Sequence, residues 1–283
     1  MKKIRILSLG AGVQSSTLAL MIQKGEVPMV DCGIFADTGA EPKSVYDWIN
    51  FLRKECSFPI YVVKYSNLDE DIRLAANGNS KSFSIPFYAV HRETKEKVLL
   101  SRQCTEKYKI KPIIKKVREL LGYSRGQRVD LKNNKVEMLL GISRDEMVRM
   151  RTNRLRYIEN QYPLINDFRM NRQDCLEWMN KNKYPLPKKS ACYFCPFHSN
   201  GTWIEMKREQ PEEFKKAVQL DHMIRDMEIS KNPEVSSKYN HEFFLHRNCV
   251  PLDEAVGNDK QQELFPPHLD PFNNVCDEGM CGV

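Results

Sequence analysis

The sequence predicts an α/β protein built on a doubly wound, mostly parallel sheet, followed by a cysteine-containing C-terminal extension. Three observations carry that expectation. Apolar runs of strand length alternate with helix-period segments through the first 65 residues, with short connections that demand parallel pairing and right-handed crossovers. The glycine-rich and charged features fall at the carboxyl ends of the predicted strands, the rim where open α/β sheets take their ligands. A chain of 283 residues also suits one large α/β domain with a smaller appendage. The division expected is residues 1–200 for the α/β domain, ending in a CxxC, and 201–283 for a helical extension with a flexible tail carrying cysteines.

The elements follow in order. "IRILSL" (4–9) is an apolar run of strand length, and "SSTLALMIQKG" (15–25) is a helix closing on Gly25. "VDCGIFAD" (30–37) is a second buried strand ending in Asp37. The helix "PKSVYDWINFLRK" puts Val45, Trp48, Ile49 and Leu52 on one face, with Pro42 at its start. "PIYVVKY" (59–65) is a third strand. Residues 66–100 read as an irregular polar insertion able to act as a lid. "KPIIKKVRELLG" (111–122) is a helix stopped by Gly122, and "VEMLLGI" (136–142) is a strand ending at "SRDE". Asn171, with Asp174 three residues on, caps a helix over 171–185. A polar stretch, a helix over 211–228 and a loop-like tail from Pro251 complete the chain.

Composition excludes several classes. Hydrophobic residues at 41% and charged residues at 29% describe a globular protein with a sizeable core, and no apolar run nears the roughly 18 residues of a membrane span. The opening "MKKIRILSLGAG" has too short an apolar core for a signal peptide and reads as a strand, so a cytoplasmic location with no membrane partner is expected. Nine cysteines in a reducing compartment point to metal ligation or catalysis rather than disulfides. The net charge of +7 is uneven: 106–118 holds five Lys and one Arg, and 144–156 holds five Arg. Such runs are often solvated faces, but arginine predominance in the second favours bidentate binding of phosphate or sulfate.

"SLGAGVQSS" (8–16) leaves a strand, turns on Gly10 and Gly12, and starts a helix. The amides of such a turn, backed by a helix N-terminus, suit an oxyanion. No Lys follows the glycines, so it is not a Walker loop, and the third glycine of the dinucleotide fingerprint is missing. This stretch, with four others, resembles the adenine-nucleotide hydrolases that carry a pyrophosphate loop, and within them the sulfonucleotide (APS/PAPS) reductases. "GAGVQSS" is similar to their loop, with Val13 and Gln14 where the ATP-consuming branch shows Lys-Asp. "FADTGAEPKSVYDWINFL" (35–52) is similar to their Asp-Thr-Gly stretch, with Asp37, Thr38, Gly39 and Glu41 in place. "SRQCTEKYKIKP" resembles a cysteine-pair segment in which only Cys104 is present and Thr105 fills the second place. "GISRDEMVRMR" (141–151) resembles their Gly-Leu-Arg strand end, and "SACYFCPFH" their second cysteine pair. The resemblance spans roughly residues 4–198. It implies an adenine nucleotide (APS/PAPS, or ATP with Mg2+) held by Ser8, Gly10, Gly12, Gln14, Ser15, Ser16, Asp37, Thr38, Gly39, Arg144, Arg149 and Arg151.

Cys192 and Cys195 admit zinc, a thioredoxin-like dithiol, an iron–sulfur centre, or inert thiols. Zinc needs further ligands, for which His198 and Cys104 are at hand. A thioredoxin-like CxxC would sit at an early strand–helix junction, which this is not. Cys104, Cys192 and Cys195 supply three thiolates for an iron–sulfur cluster, of the 4Fe-4S type that the resemblance implies. The fourth ligand is then Cys175, Cys249, Cys276 or Cys281, or the iron is open. Cys175, sharing a helix face with Leu176 and Met179, reads first as a core thiol; Cys32 and Cys56 read as packing. The chain ends "NNVCDEGMCGV". The reductases end in a segment with a nucleophilic Cys before Gly, which Cys281-Gly282 resembles, although Met280 replaces the usual Glu and no His follows.

Three functions compete. In a sulfonucleotide reductase-like oxidoreductase, Cys281 attacks the sulfur and a thiol reductant such as thioredoxin releases the product. In an ATP-dependent sulfurtransferase, a base of tRNA or DNA is adenylated and thiolated from a sulfur donor. A zinc-containing nucleic-acid-binding module is the third, and it gives the Asp-Thr-Gly stretch no role. Val13-Gln14 and the terminal cysteine favour the first; the basic runs favour the second.

Overall fold

The computed structural model describes residues 2–76, 84–225 and 240–256. Five strands form one sheet: β1 (Lys2–Leu9), β2 (Cys32–Asp37), β3 (Ile60–Lys64), β6 (Asn134–Leu140) and β7 (Ile158–Gln161), in the order β3-β2-β1-β6-β7. Every pairing is parallel, with Ile6 opposite both Cys32 and Met138. The sheet is doubly wound. Helices α1 (Val13–Gln23), α2 (Lys43–Glu55) and α6 (Arg172–Lys181) bury Leu18, Trp48, Leu52 and Met179 against one face. Helix α4 (Lys111–Leu121) buries Ile113 and Val117 against the other. A strand covered on both faces is apolar on both, which is why β2 and the carboxyl halves of β1 and β6 are buried almost throughout, while Arg5 and Glu137 pair nearer the less covered ends. The chain leaves β1 in opposite directions towards β2 and β6, so the crevice for a ligand opens at the carboxyl ends of β1 and β6.

The expected Asn171 cap is present in full: its side chain accepts from the Asp174 amide, and Asp174 accepts from the Asn171 amide. Four expectations need correction. The 66–100 insertion is structured, with helix α3 (Leu68–Ala76) and the hairpin β4 (Tyr88–His91)–β5 (Lys97–Leu99). Leu68, Ile72, Ala75 and Ala76 form a buried helical stripe there. The polar stretch before 211 is helix α7 (Asn200–Glu209), whose Ser199 cap accepts from the Thr202 amide. The tail from Pro251 starts with a short helix, α9 (Leu252–Ala255). Strand β7 was not expected at all, because an edge strand with sequence "IENQ" carries little apolar signal.

Helix α8 (Pro211–Arg225) and strand β8 (His241–Phe244) complete the described chain. β8 pairs antiparallel with β4, making a second, three-stranded sheet in the order β5-β4-β8. Residues beyond 201 therefore share a sheet with the 66–100 insertion. Their common core gathers Phe87, Trp203, Leu220, Phe243 and Leu245, and also Cys192 and Cys195. Its polar anchor is Asp221, fully buried, which accepts from the amides of Leu245 (2.8 Å) and Leu252 (2.9 Å) and pairs with Arg225.

His246 gives this region a pH response. Its Nε2 donates to Asn200 Oδ1 at 2.9 Å, while its Nδ1 accepts from the Asn248 amide at 3.3 Å. That pattern needs the neutral ring, and burial, followed by the nearby Arg247 charge, pushes its pKa down to about 4. The unfolded ring titrates near 6.5, so its contribution is complete above that value and is lost as pH falls towards about 4. Stability by urea denaturation should fall by about 3 kcal/mol across that window from this group alone. In His246→Gln that part of the pH slope should vanish; an unchanged slope would show that another group is responsible.

Candidate functional site

The site assembles around the glycine turn. Of its residues, Ala11 takes the left-handed conformation (φ 60°), while Gly12 is extended (φ −86°, ψ 177°) and precedes α1 without a side-chain cap. The Gly10 amide donates to Ser15 Oγ (3.2 Å), and Ser15 Oγ donates to the Gly12 carbonyl (3.3 Å). Ser15 thus closes the turn on itself. The first-turn amides of α1 point at the crevice with no acidic residue among them, the arrangement that attracts an oxyanion. Gln14 is buried and reaches Ser143 Oγ at 3.4 Å. Ser16 is fully buried, and its Oγ accepts from Trp48 Nε1 at 2.8 Å, so it joins α1 to α2.

The Asp37–Glu41 loop at the end of β2 is the second wall. Asp37 Oδ1 accepts from the Gly39 amide (2.7 Å) and from the Tyr46 hydroxyl (2.9 Å). Burial, and then the hydrogen bond to Asp37, push the Tyr46 phenol well above its ordinary range, so it stays a donor. Gly39 has φ +77°, and a side chain there would collide with Asn67 and Lys64. Thr38 Oγ1 accepts from the Ala40 amide and lies 3.3 Å from both Glu41 Oε1 and Cys192 Sγ.

That last contact joins the cysteines to the rim. The Cys192 and Cys195 turn closes by Cys195 N–H to Cys192 O (3.0 Å) and His198 N–H to Cys195 O (3.1 Å). His198 Nε2 donates to the Cys192 carbonyl at 2.9 Å. The Tyr193 amide donates to Ala40 O (2.9 Å), and Ser190 Oγ to Gly10 O (2.6 Å). The CxxC turn is therefore built onto both the glycine turn and the Asp-Thr-Gly loop. Cys104 packs on the same core and precedes a π-helical turn (Thr105–Ile110), from which buried Lys109 reaches Glu41 Oε1 at 3.5 Å. Helix α3 ties the two cysteine segments together. Asp69 accepts from the Tyr193 hydroxyl (2.7 Å), and Asp71 from that of Tyr108.

The other thiols lie elsewhere. Burial pushes Cys32 up to about 11 and Cys56 and Cys175 up to about 12, so all three stay neutral at physiological pH. Cys175 belongs to the core on the α1 face, apart from the one holding Cys192. Cys249 sits in a loop with φ 57°, its thiol also raised by burial. Cys276 and Cys281 lie outside the described residues. Among the described residues, no three His, Cys, Asp or Glu side chains gather closely enough to share a metal ion. Cys104, Cys192 and Cys195 are residues of the kind that hold an iron–sulfur cluster, and all three pack on one core.

The arginines divide. Arg149 is buried in an ion pair with Glu146, 2.6 Å away. Arg144 is exposed, with Nη1 3.4 Å from the Arg169 carbonyl. Arg151 lines a cleft of about 440 Å³ at the carboxyl ends of β1 and β6. Met138, Leu140, Ile113 and Ile114 supply much of its apolar wall, Ser8 lies at its β1 edge, and Glu106, Lys111, Thr152 and Asn153 supply further polar groups. Glu106, Lys109, Lys111, Ser143, Thr152, Asn153 and Ser190 fall in stretches the sequence singles out, but nothing local marks these particular side chains as lining the site, because that depends on where the chain folds them.

No protein-family profile matches the chain, and no curated protein matches it. Among solved structures it is similar to a phosphoadenylyl-sulfate (PAPS) reductase from Candida auris, in its phosphate complex, at 15% identity over 66% of this chain and 75% of that one, with a TM-score of 0.41. The α/β assignment stands on the chain's own strand order and parallel register.

Proposed function

We propose that this chain binds an adenine nucleotide across the β1/β6 crevice and performs sulfur chemistry on it beside the cysteine turn, as a sulfonucleotide reductase-like enzyme. The observation that carries the reading is the 3.3 Å contact between Cys192 Sγ and Thr38 Oγ1. It makes the thiol turn and the nucleotide loop one structure. In this reading the amides of residues 13–15 receive the phosphate, Arg144 and Arg151 neutralise charge at the mouth, and the apolar wall of the cleft takes the base. The thiolate of Cys281 attacks the sulfur of the bound sulfonucleotide. The bond from that sulfur to the bridging phosphate oxygen breaks, the nucleotide leaves with the electron pair, and an enzyme-bound thiosulfonate remains. A dithiol reductant of the thioredoxin class then releases sulfite and becomes a disulfide.

The cofactor proposed alongside is an iron–sulfur cluster using Cys104, Cys192 and Cys195, which would supply electrostatic stabilisation near the sulfonate. The test is anaerobic purification followed by iron, sulfide and sulfite assays. Sulfite formation from APS or PAPS should be lost in Cys281→Ala while nucleotide binding persists, and iron and sulfide should be lost together in Cys192→Ala. Failure of the chain to bind any adenine nucleotide would overturn the reading, and zinc without sulfide would make the turn a structural clasp. A second reading, ATP-dependent thiolation of a nucleic-acid base, is favoured by the exposed arginines at the cleft. ATP-to-AMP turnover that requires RNA or DNA would select it.

A further inference from the structure

A second cleft, of about 790 Å³, adjoins the first along the edge strand β7. The two share Arg151, Thr152, Asn153 and Asn160, so they form one groove divided by a single strip of chain. That strip is held rigid from beneath. Asn153 Nδ2 donates to Asn160 Oδ1 (3.1 Å), Asn160 Nδ2 to the Arg151 carbonyl (2.9 Å), and the Tyr162 hydroxyl to the same carbonyl (2.7 Å). Arg154 lines the inner cleft, Arg156 the outer, and Arg151 both. All three are exposed, and among the described residues none is paired with a carboxylate, in contrast to Arg149 and Lys135 nearby.

We propose that this groove is a track for a polynucleotide strand, its phosphodiester backbone running over Arg151 and Arg156 and one nucleoside turning into the inner cleft. The charge argues for a polyanion, because the three exposed guanidinium groups outnumber the lining carboxylates Glu106 and Glu159, of which Glu159 is taken up by Lys135. The size argues for a chain rather than a mononucleotide: the inner cleft alone holds a ligand of that class, and the larger outer one continues from it. The buried floor of Tyr157, Ile158 and Tyr162 presents no base-reading edge, so recognition is through the backbone. The inference holds whichever sulfur chemistry the inner cleft carries out.

The experiment is fluorescence anisotropy of the full chain with single-stranded RNA and DNA oligonucleotides roughly 12 nucleotides long, across a salt series, with adenosine monophosphate binding measured in parallel. Each phosphate contact should add about 0.7 to the log–log salt slope. Arg156→Ala should lower the slope by about 0.7 and leave adenosine monophosphate binding unchanged. The Arg151→Ala/Arg156→Ala double variant should lower it by about 1.4, a roughly sevenfold difference in affinity change between about 50 and 200 mM salt. Arg125→Ala, which lines neither cleft, should keep the parent slope. The RNA and DNA arms identify the backbone, and a preference for either supports the track. Parent slopes in both groove variants would overturn it, as would arginine-dependent binding of polyglutamate with none of either oligonucleotide. Adenosine monophosphate binding that survives such a result leaves the nucleotide reading standing.

Discussion

Gly141→Ala should lose about 3 kcal/mol of stability and weaken adenine-nucleotide binding at least about tenfold. A Cβ at this position would stand 2.4 Å from Ser15 Cα and 2.6 Å from Ser15 N. Both are main-chain atoms in the first turn of α1, so no rotamer change relieves the contact. Either the end of β6 or the helix must move, and either movement opens the crevice on which the oxyanion reading depends. Gly12→Ala is the control, since its Cβ would meet nothing within 4 Å and its φ is negative; its urea midpoint should stay close to the parent's. Equal midpoints and equal nucleotide affinity in Gly141→Ala and parent would show that the close approach is not a constraint.

Asp221→Ala should cost about 3–5 kcal/mol, the usual consequence of stranding one member of a buried ion pair. Arg225 would keep its charge without its partner, and the Leu245 and Leu252 amides would lose their acceptors. Asp221→Asn should fall between, because an amide oxygen can still receive Leu245 N–H while its NH2 repels Leu252 N–H. Since Cys192 and Cys195 share this core, their alkylation by N-ethylmaleimide should accelerate in step with the loss of stability. An unchanged urea midpoint in Asp221→Ala would refute the anchor role.

Four of the five strands of the large sheet were legible in the sequence because they carry apolar runs and their helices carry regular stripes, as with Val45, Trp48, Ile49 and Leu52 in α2; the polar edge strand β7 was not. The small sheet was not. β4 and β8 are four residues each, half-exposed and joined across most of the chain, and no local pattern reports a partner that distant. At the site, Asp37, Thr38 and Cys192 were singled out, but not that Thr38 and Cys192 touch. Arg149 illustrates the opposite limit. Its place in an arginine run suggested oxyanion binding, whereas Glu146, three residues before, takes up its charge in the interior. Gly141 was noticed only as the first residue of "GISRDEMVRMR" and not for its packing, because a glycine needed for a close approach looks no different from one needed for a turn.

The pairing of Tyr88 with Phe244 also sets an order of assembly. During synthesis, the five parallel strands emerge well before β8, so the crevice can form while the core around Cys192 still lacks its last strand and the Asp221 anchor still lacks Leu245 and Leu252. Closing so long a loop is slow compared with local helix formation. A nascent chain should therefore pass through a stage with a formed β1/β6 crevice and accessible thiols, before the interior seals.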